Sequence, residues 1–407
     1  MRPPAPDVAV IGGGIVGTAA AAFLAEGGAR VTLYEREALA AGASGRNSGV
    51  VQHPFDPALV PLYFETVDLY RRLADQVPEA GFRLSDRPTG LLFVSRHQRV
   101  TELLAKHLHA AFPALDPTAL ADDDLHGLEP GLHPEVSACR VEMGYPIVPS
   151  APTYAFATLA ELSGVAIRQG HAARLAMDGS RCVGVKVAGR LEPAGAVLVA
   201  AGPWTPELLD PAGSWRPIAP RWGVVVETLL ANPPRHVMEE AEMDEALGTG
   251  DVVARAGIPV AEASATHIGS PGAATGPIEA PEFSLVTAAG VSAVGSTFLA
   301  DEPDPEAWTE RILQRATRFV PAILDAPIRE VRACARPVAS DGRPLVGLVP
   351  WLENVFVAAG HGPWGISTGP ASAKQVAELV LGAGERIQAT FAAGRFGPPG
   401  NVGQRMG

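Results

Sequence analysis

Gly12, Gly14 and Gly17 in the run DVAVIGGGIVG (residues 7–17) have the spacing G-x-G-x-x-G, and the strand VTLYE further on ends at Glu35. A strand, a glycine turn, an apolar helix and a second strand ending in an acid are the parts that hold a dinucleotide. Gly12 permits the tight turn, Gly14 lets the backbone approach a pyrophosphate, and Gly17 lets the helix pack closely on the strand. The helix start at Ile15 offers free N–H groups and a positive dipole end to that pyrophosphate. Glu35 suits a ribose 2′-hydroxyl, and its charge repels a 2′-phosphate; Arg36 follows it directly. FAD and NAD both satisfy this pattern, so the motif alone leaves the two open.

Three further clusters of small residues follow. Ser44-Gly45-Arg46-Asn47-Ser48-Gly49 is suited to run along phosphates and a ribityl chain. Arg46 offsets pyrophosphate charge and Ser48 donates to an oxygen, unless the run is an ordinary surface loop with a helix cap at Ser44. His53, shortly after, is either a substrate contact or a structural histidine. Ala200-Ala201-Gly202 ends a strand and precedes Pro203-Trp204, where a glycine lets the chain pass close to a cofactor. Gly360-His361-Gly362-Pro363-Trp364-Gly365, with Ile366 after it, precedes the final helix. A helix N-terminus there stabilises negative charge near a flavin's N1 and C2 carbonyl on reduction. An enzyme using only NAD has no evident use for this segment, which tips the reading toward FAD.

The elements that must position these residues read as two interleaved units. The chain has 407 residues, 47% of them hydrophobic and 19% charged, enough for a large core. Its formal net charge of −12, without a Lys/Arg stripe, excludes a nucleic-acid partner and weakens the case for an anionic membrane surface. Its three cysteines, Cys139, Cys182 and Cys334, are too sparse for a disulfide framework or a metal cluster, so no metal is expected. No apolar run reaches transmembrane length, and the opening residues lack a signal-peptide segment; the expected location is cytoplasmic.

Helices are expected over 15–27, 59–73, 98–112, 153–162, 306–319 and 370–381, and an Asp-rich loop over 122–124. Strands are expected over 91–94, 165–169, 182–187, 196–200, 222–227, 283–287, 290–298, 331–338 and 355–359. A mobile loop is expected over 257–281, a hairpin around Gly290, a turn at Asp341-Gly342, and a weakly ordered tail after 384; no internal repeat is evident. The fold class is α/β: a Rossmann-like FAD-binding domain with a parallel sheet (1–80, 141–215 and 330–390), interrupted by a mixed, mainly antiparallel α+β substrate domain (81–140 and 216–329). Residues 391–407 form a C-terminal tail.

Five segments carry a family resemblance: DVAVIGGGIVG with Glu35, GASGRNSGV, VLVAAGPW, RACARPVASDGRPLVG (332–347) and FVAAGHGPWGIS (356–367). In this order the chain resembles the FAD-dependent D-amino acid oxidase superfamily, especially its glycine oxidase, sarcosine oxidase and D-amino acid dehydrogenase branch. The resemblance implies FAD held across the glycine-rich units and oxidation of a C–N bond, or in one branch a C–OH bond, beside a carboxylate. It also implies that Arg336, in the RP pair before the turn at Asp341, grips the substrate carboxylate. Physically, a planar guanidinium takes a carboxylate bidentately and so fixes the α-hydrogen over the flavin. Arg332 lacks the motif. Cys334 resembles in spacing the cysteine that carries flavin covalently in monomeric sarcosine oxidase, but its RP context resembles the noncovalent form.

The implied chemistry is hydride transfer from the substrate α-carbon to flavin N5, giving an imine that hydrolyses to an oxo acid. No residue stands out as the base; His361 is placed for it but equally suits a support for its loop. Trp222 and Trp364 are apolar walls or core. Oxygen, or a quinone or electron-transfer partner, re-oxidises the flavin. The alternative is a 2-hydroxy acid dehydrogenase of the 2-hydroxyglutarate type using the same cofactor. A tRNA-associated flavoprotein is disfavoured by the negative charge, and a non-catalytic binding module by the intact glycine units and Arg336.

Overall fold

The computed structural model of the chain describes residues 7–241, 280–384 and 387–400. Asp7–Ile11 is an inner strand of a six-stranded sheet whose order is 345–348, 355–359, 196–199, 7–11, 30–34, 166–168. All pairs are parallel except the antiparallel edge pair 345–348 and 355–359. Such strands are covered on both faces, which explains their near-continuous apolar runs. One face carries the helices Ile15–Glu26, Val60–Gln76, Ala151–Leu162 and Gly365–Val380, packed through Ala19–Ala22, Leu69, Tyr70 and Phe156. The other is covered by the three-stranded meander 173–193 and by Trp215.

The second sheet has eight strands in the order 328–339, 218–228, 291–295, 284–288, 237–240, 91–95, 137–141, 118–120. Among the described residues its only parallel pair is 91–95 with 237–240. Period-two alternation divides its side chains between faces. Leu92, Val94, Met238 and Leu285 pack under helix Glu306–Thr317, whereas Leu91, Phe93 and Val237 meet helix Gln98–Ala111. The turn Ala289-Gly290, with φ of 49° and 77°, closes the expected hairpin between 284–288 and 291–295.

Several expectations need correction. Residues 328–339 do not belong with the cofactor sheet; they pair antiparallel with 218–228 along nearly the whole strand, and long-range pairing outweighs neighbourhood in sequence. The Asp-rich stretch is the helix Asp122–Leu128, whose three leading acids complement the helix dipole while Leu125 is buried. The tail is docked as far as 400: Phe391 and Ala393 are buried, and Arg395 forms a bidentate pair with Asp341. The loop expected at 257–281 lies, but for its last two residues, outside the described residues. No described helix is long and apolar enough to cross a membrane.

The final helix begins at Gly365 rather than Pro370, so Pro370 lies inside it. Proline leaves the carbonyl four residues earlier without its N–H. That carbonyl, on Ile366, accepts instead from the Tyr70 hydroxyl at 2.6 Å. The helix is thus carried back to the cavity edge by a side chain from Val60–Gln76.

Candidate active site

A cavity of about 740 Å³ opens between the two sheets. It runs from Gly12–Val16, Glu35 and Arg36, past Ser44–Gly49, to Arg336 and the segment His361–Ser367. The glycine turn is built for close approach. Gly12 has φ +116°, and a β-carbon there would lie 2.3 Å from the Ala200 carbonyl oxygen. One on Gly17 would lie 1.9 Å from the Gly12 carbonyl oxygen, so Gly17 acts through packing and does not itself line the cavity.

Glu35 is held in place by backbone donors: Oε2 accepts from Gly13 N at 2.7 Å and Oε1 from Glu37 N at 2.8 Å. Ser44 caps not its own short helix but the first one, accepting from Ile15 N at 2.9 Å. Asn47 lines the cavity, yet its side chain serves its own turn: Nδ2 donates to the Ala43 and Ser44 carbonyls, and Oδ1 accepts from Gly49 N. Arg46 and Ser48 line the cavity. The Arg36 guanidinium lies over the Trp204 indole, 3.9 Å from its centroid.

The strand ends 196–199 and 355–359, neighbours in the sheet, lead into matching turns. Both contain Gly-Pro-Trp, at Gly202–Trp204 and Gly362–Trp364, in a single 3₁₀ turn whose glycine has φ +56°. The repeat is too short to register as a period in sequence, but both turns line the cavity, Ala201 with the first and Gly365 and Ile366 with the second. Gly360, with φ +83°, shapes the second turn from behind, against Ile218 and Leu345.

Arg336 lies in the cavity wall contributed by the second sheet. Its Nη1 donates to the Thr297 carbonyl at 2.8 Å and its Nη2 to Ser296 Oγ at 2.6 Å. The guanidinium also stacks 4.3 Å above Phe298. Among the described residues it has no carboxylate partner. Trp222 and Trp364 both line the cavity, each also packed against a core cluster. Cys334 lines it too; burial raises its thiol pKa, against the lowering effect of Arg336, Arg332 and Arg46.

The two histidines part company. His361 is in the wall with Nε2 unbonded, and burial lowers its pKa to about 4, so it is neutral. His53, expected toward the substrate, is instead outside the lining, edge-on to Phe55, Tyr63, Phe64 and Phe112 with centroids 5.2–6.2 Å away. Burial lowers its pKa to about 4 as well, partly opposed by a hydrogen bond to the Pro54 backbone.

Sequence reasoning missed Gln52, Gly223, Glu239, Glu282, Ser284, Ser296 and Phe298. Gln52 ties the two units together: its N–H donates to Ser367 Oγ at 2.9 Å and its Nε2 to Glu239 Oε2 at 3.2 Å. Gly223, Glu239 and Ser284 stand singly on three different strands, and Gln52, Glu282, Ser296 and Phe298 in segments next to strand ends, so most carry no local signal. Gly223 is the exception, since an isolated glycine inside RWGVVVE marks a close approach.

The site suits FAD. The glycine cradle that β-carbons would fill, the fixed Glu35 and a cavity lined from the glycine turn to Arg336 match a dinucleotide, and the start of the final helix lines the same cavity.

The profile of the family described as FAD dependent oxidoreductase (DAO) matches residues 7–379. A glycine oxidase of Pseudomonas aeruginosa is 25% identical over 395 residues, covering 92% of this chain and 94% of its own. A D-amino acid dehydrogenase of Cereibacter sphaeroides is 24% identical, covering 81% of this chain and 69% of its own. The crystal structure of glycine oxidase from Geobacillus kaustophilus superposes with a TM-score of 0.77 at 22% identity, over 97% of this chain and 99% of the other.

Proposed function

We propose that this chain, which belongs to the FAD dependent oxidoreductase family, oxidises the C–N bond of a small amino acid or N-substituted amino acid, of the D-amino acid, glycine or sarcosine type. The observation that carries this reading is Arg336, a guanidinium fixed by neutral oxygens in the wall of the cofactor cavity. A cation held this way keeps its charge for an anionic ligand, and its planar fork matches a carboxylate. The names of the two curated relatives, a glycine oxidase and a D-amino acid dehydrogenase, support the same class.

FAD, when bound, supplies the two-electron acceptor. Glu35 and the Gly12–Ile15 turn would hold its adenosine and pyrophosphate portions, and the N-terminus of Gly365–Val380 would favour negative charge at the other end. Arg336 takes the substrate carboxylate and orients the α-carbon. Trp222, Trp364 and Phe298 exclude water. His361, kept neutral by burial, acts as a hydrogen-bonding group rather than as a charge. The substrate loses two electrons and two protons in all, delivered in the end to the acceptor, to become an imine; water then adds to it, giving an oxo acid and ammonia or an amine. Oxygen, or a quinone or electron-transfer partner, receives the electrons. We place the reaction in the cytoplasm and the flavin in noncovalent attachment.

The test is anaerobic mixing of the oxidised holoenzyme with sarcosine, glycine, D-alanine, D-proline, L-proline, an opine and both 2-hydroxyglutarate enantiomers, following the flavin band near ~450 nm. Bleaching by an amine establishes the reading, and admitting air then separates oxidase from dehydrogenase. Bleaching by a hydroxy acid alone overturns it in favour of 2-hydroxy acid oxidation.

A further inference from the structure

We infer that Gly223 is a positioning residue for Arg336: the side chain it lacks is the space in which the guanidinium lies. The inference rests on the reading of Arg336 as the carboxylate anchor. Gly223 sits within strand Ile218–Thr228, opposite Cys334, and its backbone is not in the left-handed region. Nothing in the main chain therefore calls for glycine, and glycine inside a strand weakens it.

The reason for it lies across the strand pair. A β-carbon on Gly223 would stand 2.2 Å from Arg336 Nη1, 2.4 Å from Cζ and 2.4 Å from Nη2. The guanidinium cannot keep its place beside any other residue. It is, however, the far end of a long side chain, so it moves aside at little cost to the fold. Moving it breaks the bonds to the Thr297 carbonyl and Ser296 Oγ and lifts it from the Phe298 ring.

Those contacts engage two of the five N–H donors of the planar guanidinium and fix the orientation of the plane that holds the other three. A carboxylate binds bidentately only in that plane. Gly223 thus sets how deep the anchor lies in the sheet, and with it where a bound carboxylate comes to rest. A displacement of about 1 Å in such a group is enough to cost about a hundredfold in function.

The test is a double-mutant cycle in the FAD-loaded enzyme. Acetate, a carboxylate with no oxidisable C–N bond, is titrated while the flavin spectrum is followed, and Tm and flavin content are measured alongside. We expect Gly223→Ala to weaken acetate binding about 10- to 100-fold with Tm and flavin content unchanged. Arg336→Met abolishes binding, and adding Gly223→Ala to it changes nothing further. Wild-type affinity in Gly223→Ala overturns the inference and leaves the reading of Arg336 intact. So does a fall in Tm or flavin content that accounts for the loss. Acetate binding that survives Arg336→Met, or is absent from the wild type, overturns the reading itself.

Discussion

Arg332 and Arg336 stand four residues apart on one strand and are bound in opposite ways. Arg332 is buried and ion-paired with Glu227; its Nε and Nη2 donate to the carbonyls of Arg46 and Asn47 at 3.1 and 3.0 Å. Among the described residues Arg336 is bound by neutral oxygens and an aromatic face alone. The first arginine is a tie between the second sheet and the loop along the cofactor cavity. The second lines the cavity without a carboxylate partner among the described residues.

Arg336→Lys tests the ligand role. Lysine keeps the charge but loses the planar fork, so kcat/KM should fall by about 10²- to 10³-fold. Steady-state kinetics with the substrate found in the panel, beside flavin content, check it. Unchanged kcat/KM counts against a bidentate contact.

Arg332→Met tests the tie. It leaves Glu227 without this partner and frees two carbonyls, so stability should fall by about 3–5 kcal/mol. Urea unfolding of the holoenzyme reads this directly, and a midpoint equal to the wild type sinks the prediction.

Glu35→Ala removes the acceptor of the Gly13 and Glu37 N–H groups, and with it the ribose contact proposed for Glu35. FAD affinity of the apoprotein should drop about 10- to 100-fold, or ~1.4–2.8 kcal/mol. Titration with FAD, followed by quenching of flavin fluorescence, gives the constant.

The buried histidines predict a pH dependence with a definite sign. His53 and His361 are lowered from the ordinary 6.5 to about 4, so between these values the unfolded chain binds protons that the folded one does not. Stability is therefore full above about pH 6.5, falls as pH drops toward 4 and levels off below, by on the order of 3 kcal/mol for each. His53→Phe should flatten part of this slope and leave activity unchanged, since His53 lies outside the cavity. Tm measured from pH 4 to 8 on both proteins tests it.

Cys334 lines the cavity with its thiol held protonated by burial, which disfavours addition to a flavin. An intact-mass spectrum under denaturing conditions should show the polypeptide alone. A mass increased by FAD would establish a covalent link.

The cofactor half was legible in the sequence because its signals are local. Gly12, Gly17 and Glu35 act through turns and strand ends within a few dozen residues, and the Gly-Pro-Trp turns announce themselves by composition. Tertiary structure decided the substrate half. Arg336 and Gly223 lie on neighbouring strands and Ser296 just after a third, and they meet only when antiparallel pairing sets those strands side by side; Gln52 reaches Glu239 from outside that sheet. It also divided residues of the same type: His361 faces the cavity while His53 is walled in by aromatic rings, and Arg332 is sealed while Arg336 is not. Residue type sets what a side chain is able to do, but its neighbours across the sheet set its charge, its partners and its exposure, and those neighbours lie far away along the chain.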